Sequence, residues 1–270
     1  MIAGGRRLTG GLLVAAALVS LAGCRRGFEV RDFANPEALF RGALQEFEQG
    51  KWANAIVGFE RLTLDLSSRD ALLPATYYYL ALAHEKQREY LLAAQSFARL
   101  TDAFPSDTLA PRSMLGEGRS YQNLWRRVDL DADYGTKAIG TLRVMLTAYP
   151  DAPEAAEARD RIATLEDRLA KKDYETGMHY LRTRKAYDSA IIYFDDVIET
   201  YPSTPTARLA WFGKLQAFRA RKWTDEAKDA CVEMRKKYPS DAEVRDACGT
   251  GPGADSVGTL PTPPPAPPGA

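Results

Sequence analysis

The sequence predicts an all-α protein, a solenoid of about five helical hairpins that stack into a superhelix. Five alanines are each followed four residues later by a core-type side chain and, eight residues after that, by a helix end. The five sets are Ala55/Phe59/Ser67, Ala93/Phe97/Pro105, Ala138/Leu142/Pro150, Ala190/Phe194/Pro202 and Ala227/Cys231/Pro239. Aromatic residues precede four of the helix ends (Phe104, Tyr149, Tyr201, Tyr238). An aromatic residue also stands at the start of the second helix of each hairpin (Trp52, Tyr90, Tyr134, Tyr187, Trp223). No segment shows the sustained alternation that is typical of strands.

The recurring set has a direct packing explanation. A small alanine lets two helices approach closely, and the larger residue one turn later fills the remaining space. Proline ends the unit because it lacks an N–H and restricts the residue before it. This is the frame of the tetratricopeptide repeat, which builds scaffolds for binding other proteins. The alanines are 38, 45, 52 and 37 residues apart, against 34 in the regular repeat. The repeats are therefore predicted to be stretched and irregular.

The first two hairpins have clear start and stop signals. Asn35 is a good N-cap, and Pro36 suits the first helical position. Apolar residues then recur at helical period as far as Gly50, which ends the first helix. The other helices of these two hairpins are predicted over residues 52–66, 74–87 and 90–104.

The later hairpins are longer. The third and fourth are predicted from helices over residues 108–125, 134–149, 153–184 and 186–200, of which the 153–184 helix is unusually long. Thr204 and Pro205 start the fifth hairpin, whose second helix is predicted over residues 224–237. Ser240 is expected to cap a short closing helix that ends at Cys248, because a terminal repeat needs a cover.

The N-terminus has the pattern of a bacterial lipoprotein signal. Arg6 and Arg7 precede an apolar run over residues 11–20, which is shorter than the roughly 20 residues that span a bilayer. The ending Leu-Ala-Gly-Cys resembles the lipobox, which implies cleavage before Cys24 and acylation (palmitate) of its sulfur. In such lipoproteins Asp after the cysteine favours the inner membrane, so Arg25 favours the outer membrane. The alternative is an ordinary signal peptide with an incidental cysteine.

Four segments follow from these patterns. We expect a signal peptide over residues 1–23, a lipidated tether over 24–34, the repeat domain over 35–248 and a disordered Pro-rich tail over 249–270. The tail has too little apolar content to form a core.

Composition narrows the class of function. The chain has 36 basic and 36 acidic residues and a formal net charge of +0, so it has no long-range field that would attract nucleic acid. Two cysteines remain besides Cys24. The periplasm permits disulfides, so a Cys231–Cys248 bridge is one possibility. The other is that Cys231 is a small buried hydrophobic residue.

The candidates for chemistry are weak. His84 lies at a repeat packing position and is expected to be structural, and His179 is expected at the surface or in the groove. Asp129-Leu130-Asp131-Ala132-Asp133 opens like a calcium loop, but an EF-hand needs glycine at its sixth position and glutamate at its twelfth. Tyr134 and Gly140 stand there instead. We therefore predict no catalytic, metal-binding or cofactor-binding residue, and no enzyme.

Two further motifs have structural explanations. Gly116-Glu117-Gly118 follows no strand and has no Gly-Lys-Ser/Thr after it, so it is not a phosphate loop. Tyr77-Tyr78-Tyr79 spans more than half a helical turn, so one ring is expected to face inward and another to be exposed. The exposed ring could grip a peptide in the groove, or it could pack against a neighbouring repeat.

Part of the chain resembles a known family. The residues that carry the resemblance are Asp131 to Tyr134, Ala138, Tyr149 to Asp151, Leu169 to Tyr174, His179 to Leu181, Lys185 to Tyr187, Ala190 and Val197 to Pro202. Together with the lipobox they resemble the BamD (ComL) family of outer-membrane assembly lipoproteins, over residues 21–240 and most clearly over 105–203. The family commonly has Glu at Asp173 and often Arg near Tyr193, so an ionic partner contact is not carried over to those positions.

The resemblance implies a lipid-anchored protein of the outer membrane that faces the periplasm. Its implied partners are the barrel-forming subunit BamA, other assembly-machinery subunits and unfolded outer-membrane proteins, with early repeats taking substrate and late repeats taking the barrel subunit. Two alternatives stay open at this point. One is a repeat lipoprotein that serves cell division or envelope coordination, and the other is a periplasmic enzyme on a helical-repeat scaffold. The residues that contact partners are not assigned.

Overall fold

The computed structural model describes residues 27–126 and 132–249. The predicted signal peptide, Cys24, the aspartates at positions 129 and 131 and the Pro-rich tail from residue 250 onward lie outside these ranges. Within them the fold is all-α, as predicted, and no strand is present. None of the helices in the described residues has both the length and the apolar character that crossing a bilayer requires.

Eleven α-helices are present in the described residues. They are α1 (Pro36–Glu48), α2 (Trp52–Asp65), α3 (Leu73–Lys86), α4 (Tyr90–Ala103), α5 (Ala110–Leu124), α6 (Asp133–Ala148), α7 (Ala155–His179), α8 (Tyr187–Thr200), α9 (Pro205–Arg221), α10 (Thr224–Lys237) and α11 (Ala242–Cys248). The first ten pair into five hairpins, each packed on the next, and α11 closes the end. The predicted boundaries hold to within about two residues, with one exception.

The exception is the end of the long helix. The sequence pattern continues to residue 184, but α7 ends at His179 and a π-helical turn follows over Tyr180–Arg184. Lys185 then adopts a left-handed conformation, with φ 52° and ψ 28°. A left-handed residue cannot continue a right-handed helix, so the chain turns there into α8.

The alanine frame packs as predicted in four hairpins and differs in the fifth. Ala55, Ala93, Ala138 and Ala190 are completely buried. Ala227 is only half-buried. The reason is that α10 is followed by the short α11 and not by another long hairpin, so the face that carries Ala227 is incompletely covered.

An irregular segment covers the N-terminal end of the superhelix. We call residues 28–33 the strap; they include a short 3-10 turn at Val30–Asp32 that the sequence pattern did not predict. Phe33 lies over Gly42 of α1, and Phe28 lies over Gly58 of α2. A Cβ atom added at Gly42 would overlap the Phe33 ring. The two glycines therefore form sockets for the two rings.

The C-terminal end is covered by α11. A disulfide joins Cys231 of α10 to Cys248, the last residue of α11, which resolves the cysteine pairing that the sequence left open. The N-cap of α11 is Asp241, whose carboxylate accepts hydrogen bonds from the N–H groups of Glu243 (2.9 Å) and Val244 (3.3 Å). The expectation that Ser240 is the cap was wrong, because Asp241 is the residue next to the first helical turn.

Three arginines also hold α11. Arg208 donates to both oxygens of Asp241, at 2.5 and 3.0 Å. Arg219 donates to the backbone carbonyl of Ala247 at 2.6 Å, and Arg235 donates to that of Cys248 at 2.8 Å. The last two bonds satisfy carbonyls at the helix C-terminus, where the helix dipole favours positive charge.

Candidate partner-binding surface

The first helices of the hairpins line one side of the superhelix. Direct packing occurs between α1 and α3 and between α7 and α9, whereas successive second helices make no comparable contact in the described part of the chain. Elements approach each other on the inside of a curve. We therefore call the side formed by α1, α3, α5, α7 and α9 the inner face.

A row of polar contacts crosses the inner face between hairpins. Arg119 of α5 donates two hydrogen bonds to Glu85 of α3, both at 2.6 Å. Arg161 of α7 donates to the side-chain oxygen of Gln122 of α5 at 2.8 Å. We call these four residues the polar ladder. Their bidentate and charge-assisted bonds fix how each first helix lies against the next.

The early part of the inner face continues this polar character. Arg112 donates to Glu154 at 3.1 Å, and its guanidinium lies next to the hydroxyl of Tyr78. Burial raises the pKa of Tyr78, although the guanidinium opposes the shift. The phenol therefore stays protonated and can donate a hydrogen bond at neutral pH.

Aromatic side chains stack where α7 ends. The rings of Tyr180 and Tyr193 stack with centroids 5.4 Å apart and planes 12° apart, and the His179 ring meets Tyr180 edge-on at 6.1 Å. We call Tyr180 and Tyr193 the tyrosine pair. Seven residues before Tyr180, burial raises the pKa of Asp173; Lys172 opposes this shift and the Asp196 carboxylate adds to it.

An unusual carboxyl group lies away from the inner face, between α4 and α6. Burial raises the pKa of Glu117 to about 7, and the neighbouring Asp102 carboxylate adds to the shift. The hydroxyl of Thr141 interacts with the same carboxyl and opposes the rise. Glu117 is thus poised to change its charge near neutral pH.

Basic residues cluster at the turns of the last two hairpins. Arg182, Arg184, Lys185 and Lys222 are all exposed. Arg221 and Asp188 form an ion pair at 3.1 Å that holds the two turns together. This edge is suited to acidic partner surfaces.

The residues that the sequence singled out for chemistry do not come together. His84 is buried, and its Nδ1 lies 2.7 Å from a carboxylate oxygen of Glu89 on the same hairpin. His179 is exposed on a different hairpin. Across residues 27–126 and 132–249, no three His, Cys, Asp or Glu side chains are grouped so that they could hold a metal ion.

The three consecutive tyrosines differ from the expectation of one inward ring and one exposed ring. All three are half-buried. Tyr79 packs among the rings of Phe40, Phe47 and Phe59, and Tyr78 packs against the ring of Phe97. Two of the tyrosines therefore serve mainly the core. The glycines of the Gly-Glu-Gly motif pack closely against Phe97 and Leu142, which is a structural role.

One surface feature was not foreseen from the sequence. An open cleft of about 870 Å³ lies between the strap and α2, and residues 28–31, Val57 and Leu64 are among those that line it. We call it the N-terminal cleft. The signal that could have indicated it is the pair of glycines inside α1 and α2, since a glycine within a helical pattern often marks a close approach.

These features define the class of protein. The chain forms a helical-repeat scaffold with a polar inner face, a stacked tyrosine pair near its late turns and separate covers at its two ends. Such surfaces suit the binding of other macromolecules.

The sequence comparisons identify the family. The chain belongs to the YfiO family of outer membrane lipoproteins, whose family model matches residues 33–233. This confirms the resemblance to the BamD family and assigns the protein to the outer membrane.

Individual relatives agree with this assignment. The outer membrane protein assembly factor BamD of Vibrio cholerae is 28% identical over 77% of this chain and 90% of its own length. The protein of the same name from Caulobacter vibrioides is 25% identical over 87% of this chain and 77% of its own length. Among solved structures, the TPR2AB domain of yeast Sti1 is 15% identical with a TM-score of 0.39, over 79% of this chain and 81% of that one.

Proposed function

We propose that this protein is a non-enzymatic scaffold of the machinery that assembles β-barrel proteins in the outer membrane. The observation that carries the proposal is the family match, which extends from the end of the strap into α10. The superhelix is therefore matched almost as a whole, including the inner face. The relatives at 28% and 25% identity are both named outer membrane protein assembly factors.

Within this role, we assign anchoring to Cys24. The lipobox supports acylation of its sulfur after cleavage of the signal peptide, and several acyl chains on one residue hold a protein firmly at a membrane. The Cys24→Ser variant is expected to lose both incorporation of labelled palmitate and retention in the membrane fraction. Unchanged labelling would overturn the assignment of Cys24.

Partner binding is assigned to two parts of the molecule. The barrel-forming subunit BamA would bind near the tyrosine pair, because aromatic rings with one polar end are favoured at protein interfaces. The π-helical turn beside it supports this choice, since such turns are frequent at functional sites. The early inner face, with the half-buried side chains of the polar ladder and the exposed Arg112, would receive extended segments of unfolded outer-membrane proteins.

The test is affinity capture from detergent-solubilised envelopes. The wild-type protein is expected to recover the barrel-forming subunit. Tyr193→Ala is expected to lower that recovery about tenfold, the effect of a strong interface residue, while Ile192→Ala is expected to leave it unchanged. Ile192 is a matched control because it is the preceding residue of α8 and is 62% exposed.

The outcomes separate the proposal from its alternative. Recovery of a cell-division or other envelope complex in place of the barrel-forming subunit would contradict the assembly role. Recovery of the barrel-forming subunit with equal yield from wild type and Tyr193→Ala would keep the role and overturn the assignment of the surface.

A further inference from the structure

Two exposed aliphatic side chains mark one side of the N-terminal cleft. Leu64 is 79% exposed and Val57 is 49% exposed, and both line the cleft together with residues 28–31 of the strap. They are seven residues apart on α2, so they lie on the same face of the helix, two turns from each other. This side of the first hairpin therefore presents apolar surface to its surroundings.

The strap is attached firmly to the first hairpin. Phe28 and Phe33 occupy the sockets at Gly58 and Gly42, and the two rings also pack against each other with centroids 5.3 Å apart. Neither ring can leave without opening a cavity against the helices. The position of the strap relative to the cleft is consequently fixed by packing.

Covalent geometry limits how far the cleft can lie from Cys24. Only residues 25 and 26 separate Cys24 from Gly27, where the described structure begins. Three consecutive Cα–Cα steps of 3.8 Å span at most about 11 Å. An acylated Cys24 would therefore hold the N-terminal cleft close to the lipid surface.

Charged side chains lie beside the apolar residues of the cleft. Arg61 pairs with Asp65 at 2.6 Å, and Arg31 lies 3.6 Å from Glu29. Glu60 also lines the cleft, so its lining has two basic and three acidic side chains. The surface is therefore amphipathic, with a small negative charge and with apolar side chains between polar groups. Surfaces of this kind lie at the boundary between headgroups and acyl chains.

We propose that the N-terminal cleft and the exposed side of α2 rest on the phospholipid surface to which the protein is anchored, with Leu64 and Val57 inserted at the interface. This inference rests on the proposed acylation of Cys24. It adds a second point of attachment, which would restrict rotation of the superhelix about its lipid anchor and fix the direction in which the inner face points.

The test measures the depth of single side chains in a membrane. Cysteines replace Leu64, Val57, Ile192 or Val232 one at a time in the mature lipoprotein, and each is labelled with the fluorophore NBD. The introduced thiol is then the reactive one, because Cys231 and Cys248 are paired and Cys24 is acylated. The labelled proteins are reconstituted into vesicles of phosphatidylethanolamine and phosphatidylglycerol, with or without phosphatidylcholine brominated on its acyl chains.

The brominated lipid is expected to reduce the emission of the labels at positions 64 and 57 about twofold, since interfacial side chains lie roughly 5–10 Å into the boundary region. The labels at positions 192 and 232, which are 62% and 51% exposed on later hairpins, are expected to keep their emission. Protein that floats with vesicles but is not quenched at positions 64 and 57 would overturn the membrane contact alone. Protein that does not float would instead overturn the acylation of Cys24.

Discussion

The two ends of the superhelix are covered by different means. At the N-terminal end, the strap places two phenylalanine rings over glycines of α1 and α2, and no covalent bond is involved. At the C-terminal end, α11 is held by the Cys231–Cys248 disulfide and by three arginines. Both covers keep the apolar face of a terminal hairpin from water, which every stacked-repeat protein requires.

The difference follows from the length and the apolar side chains of each cover. The strap has only six residues, so it covers its hairpin with large rings placed in sockets. The helix α11 has seven residues, far fewer than the ~12 at which an isolated helix becomes even marginally stable. A short helix with a small apolar face needs further restraint, and the disulfide and the hydrogen bonds from the three arginines supply it.

The largest expected effect tests the covalent restraint. The disulfide closes a loop with a sequence separation of 17 residues, for which loop-closure entropy predicts about 3 kcal/mol of stabilisation. Replacing both cysteines with serine is therefore expected to release α11 and to lower the protection of α9 and α10 amides against hydrogen exchange. Exchange in α1 and α2 is expected to stay the same. Equal loss of protection at both ends would show that the ends are not independent.

The second prediction tests the sockets at the opposite end. Gly42→Ala is expected to destabilise the protein by about 2 kcal/mol, because the new methyl group would overlap the Phe33 ring and displace the strap. Gly140→Ala is the matched control, since nothing lies within 4 Å of a Cβ atom at that helical position. It is expected to stabilise the protein by about 0.5–1 kcal/mol through helix propensity. Chemical denaturation of both variants measures the difference, and equal effects would contradict the socket.

The sequence predicted the middle of the molecule better than its ends. Helical period, N-caps and prolines are local signals, and they located every hairpin. The two covers depend on contacts between elements. A sequence pattern does not show that Phe33 lies over Gly42, and it predicted Ser240 as the cap of α11, where the structure has Asp241. The predicted end of the long helix was wrong for the same reason. The helix ends at His179, where Tyr180 stacks on Tyr193 from α8.

The candidate surface was foreseen only in outline. The repeat frame predicted a scaffold with a groove, but the ladder pairs Arg119 with Glu85 and Arg161 with Gln122, across 34 and 39 residues of sequence. Such pairs require the relative position of neighbouring hairpins. That relative position is difficult to predict from the spacing of the repeats along the sequence, because the repeats are stretched by unequal amounts.

The third prediction concerns a buried carboxyl group in the middle of the molecule, away from both covers. Glu117 has a folded-state pKa of about 7, above the ordinary 4.5. The folded protein therefore binds the Glu117 proton more tightly than the unfolded chain does, which stabilises the fold. This stabilisation is fully present below pH 4.5 and is lost as the pH rises through about 7. Glu117→Gln is expected to remove this part of the pH dependence of stability. It is also expected to stabilise the protein at pH 8 by about 1–2 kcal/mol. Thermal unfolding from pH 4 to 8 measures it, and an unchanged slope would contradict the shift.

The smallest expected effect has the opposite sign and belongs to the C-terminal cover. Hydrogen bonds from Arg208 and from the first turn of α11 lower the pKa of Asp241 below its ordinary 3.8. Its stabilising contribution is present above that value and is lost as the pH falls through the lowered pKa. Asp241→Asn retains a capping side chain, so only the ionic part, about 0.5–1 kcal/mol for a partly exposed pair, is removed.

The N-terminal cover supplies the control for this last experiment. The N-cap of α1, which the strap covers, is Asn35; its side chain accepts a hydrogen bond from the N–H of Ala38 at 2.8 Å and does not titrate. Hydrogen exchange at pH 3 and pH 5, corrected for the intrinsic rate, is therefore expected to show loosening of α11 at the lower pH and no selective change in α1. In Asp241→Asn the loosening of α11 is expected to be the same at both values. Acid loosening of α1 before α11 would mean that the two ends do not differ in the role of charge, and that the packing of the strap is the weaker restraint.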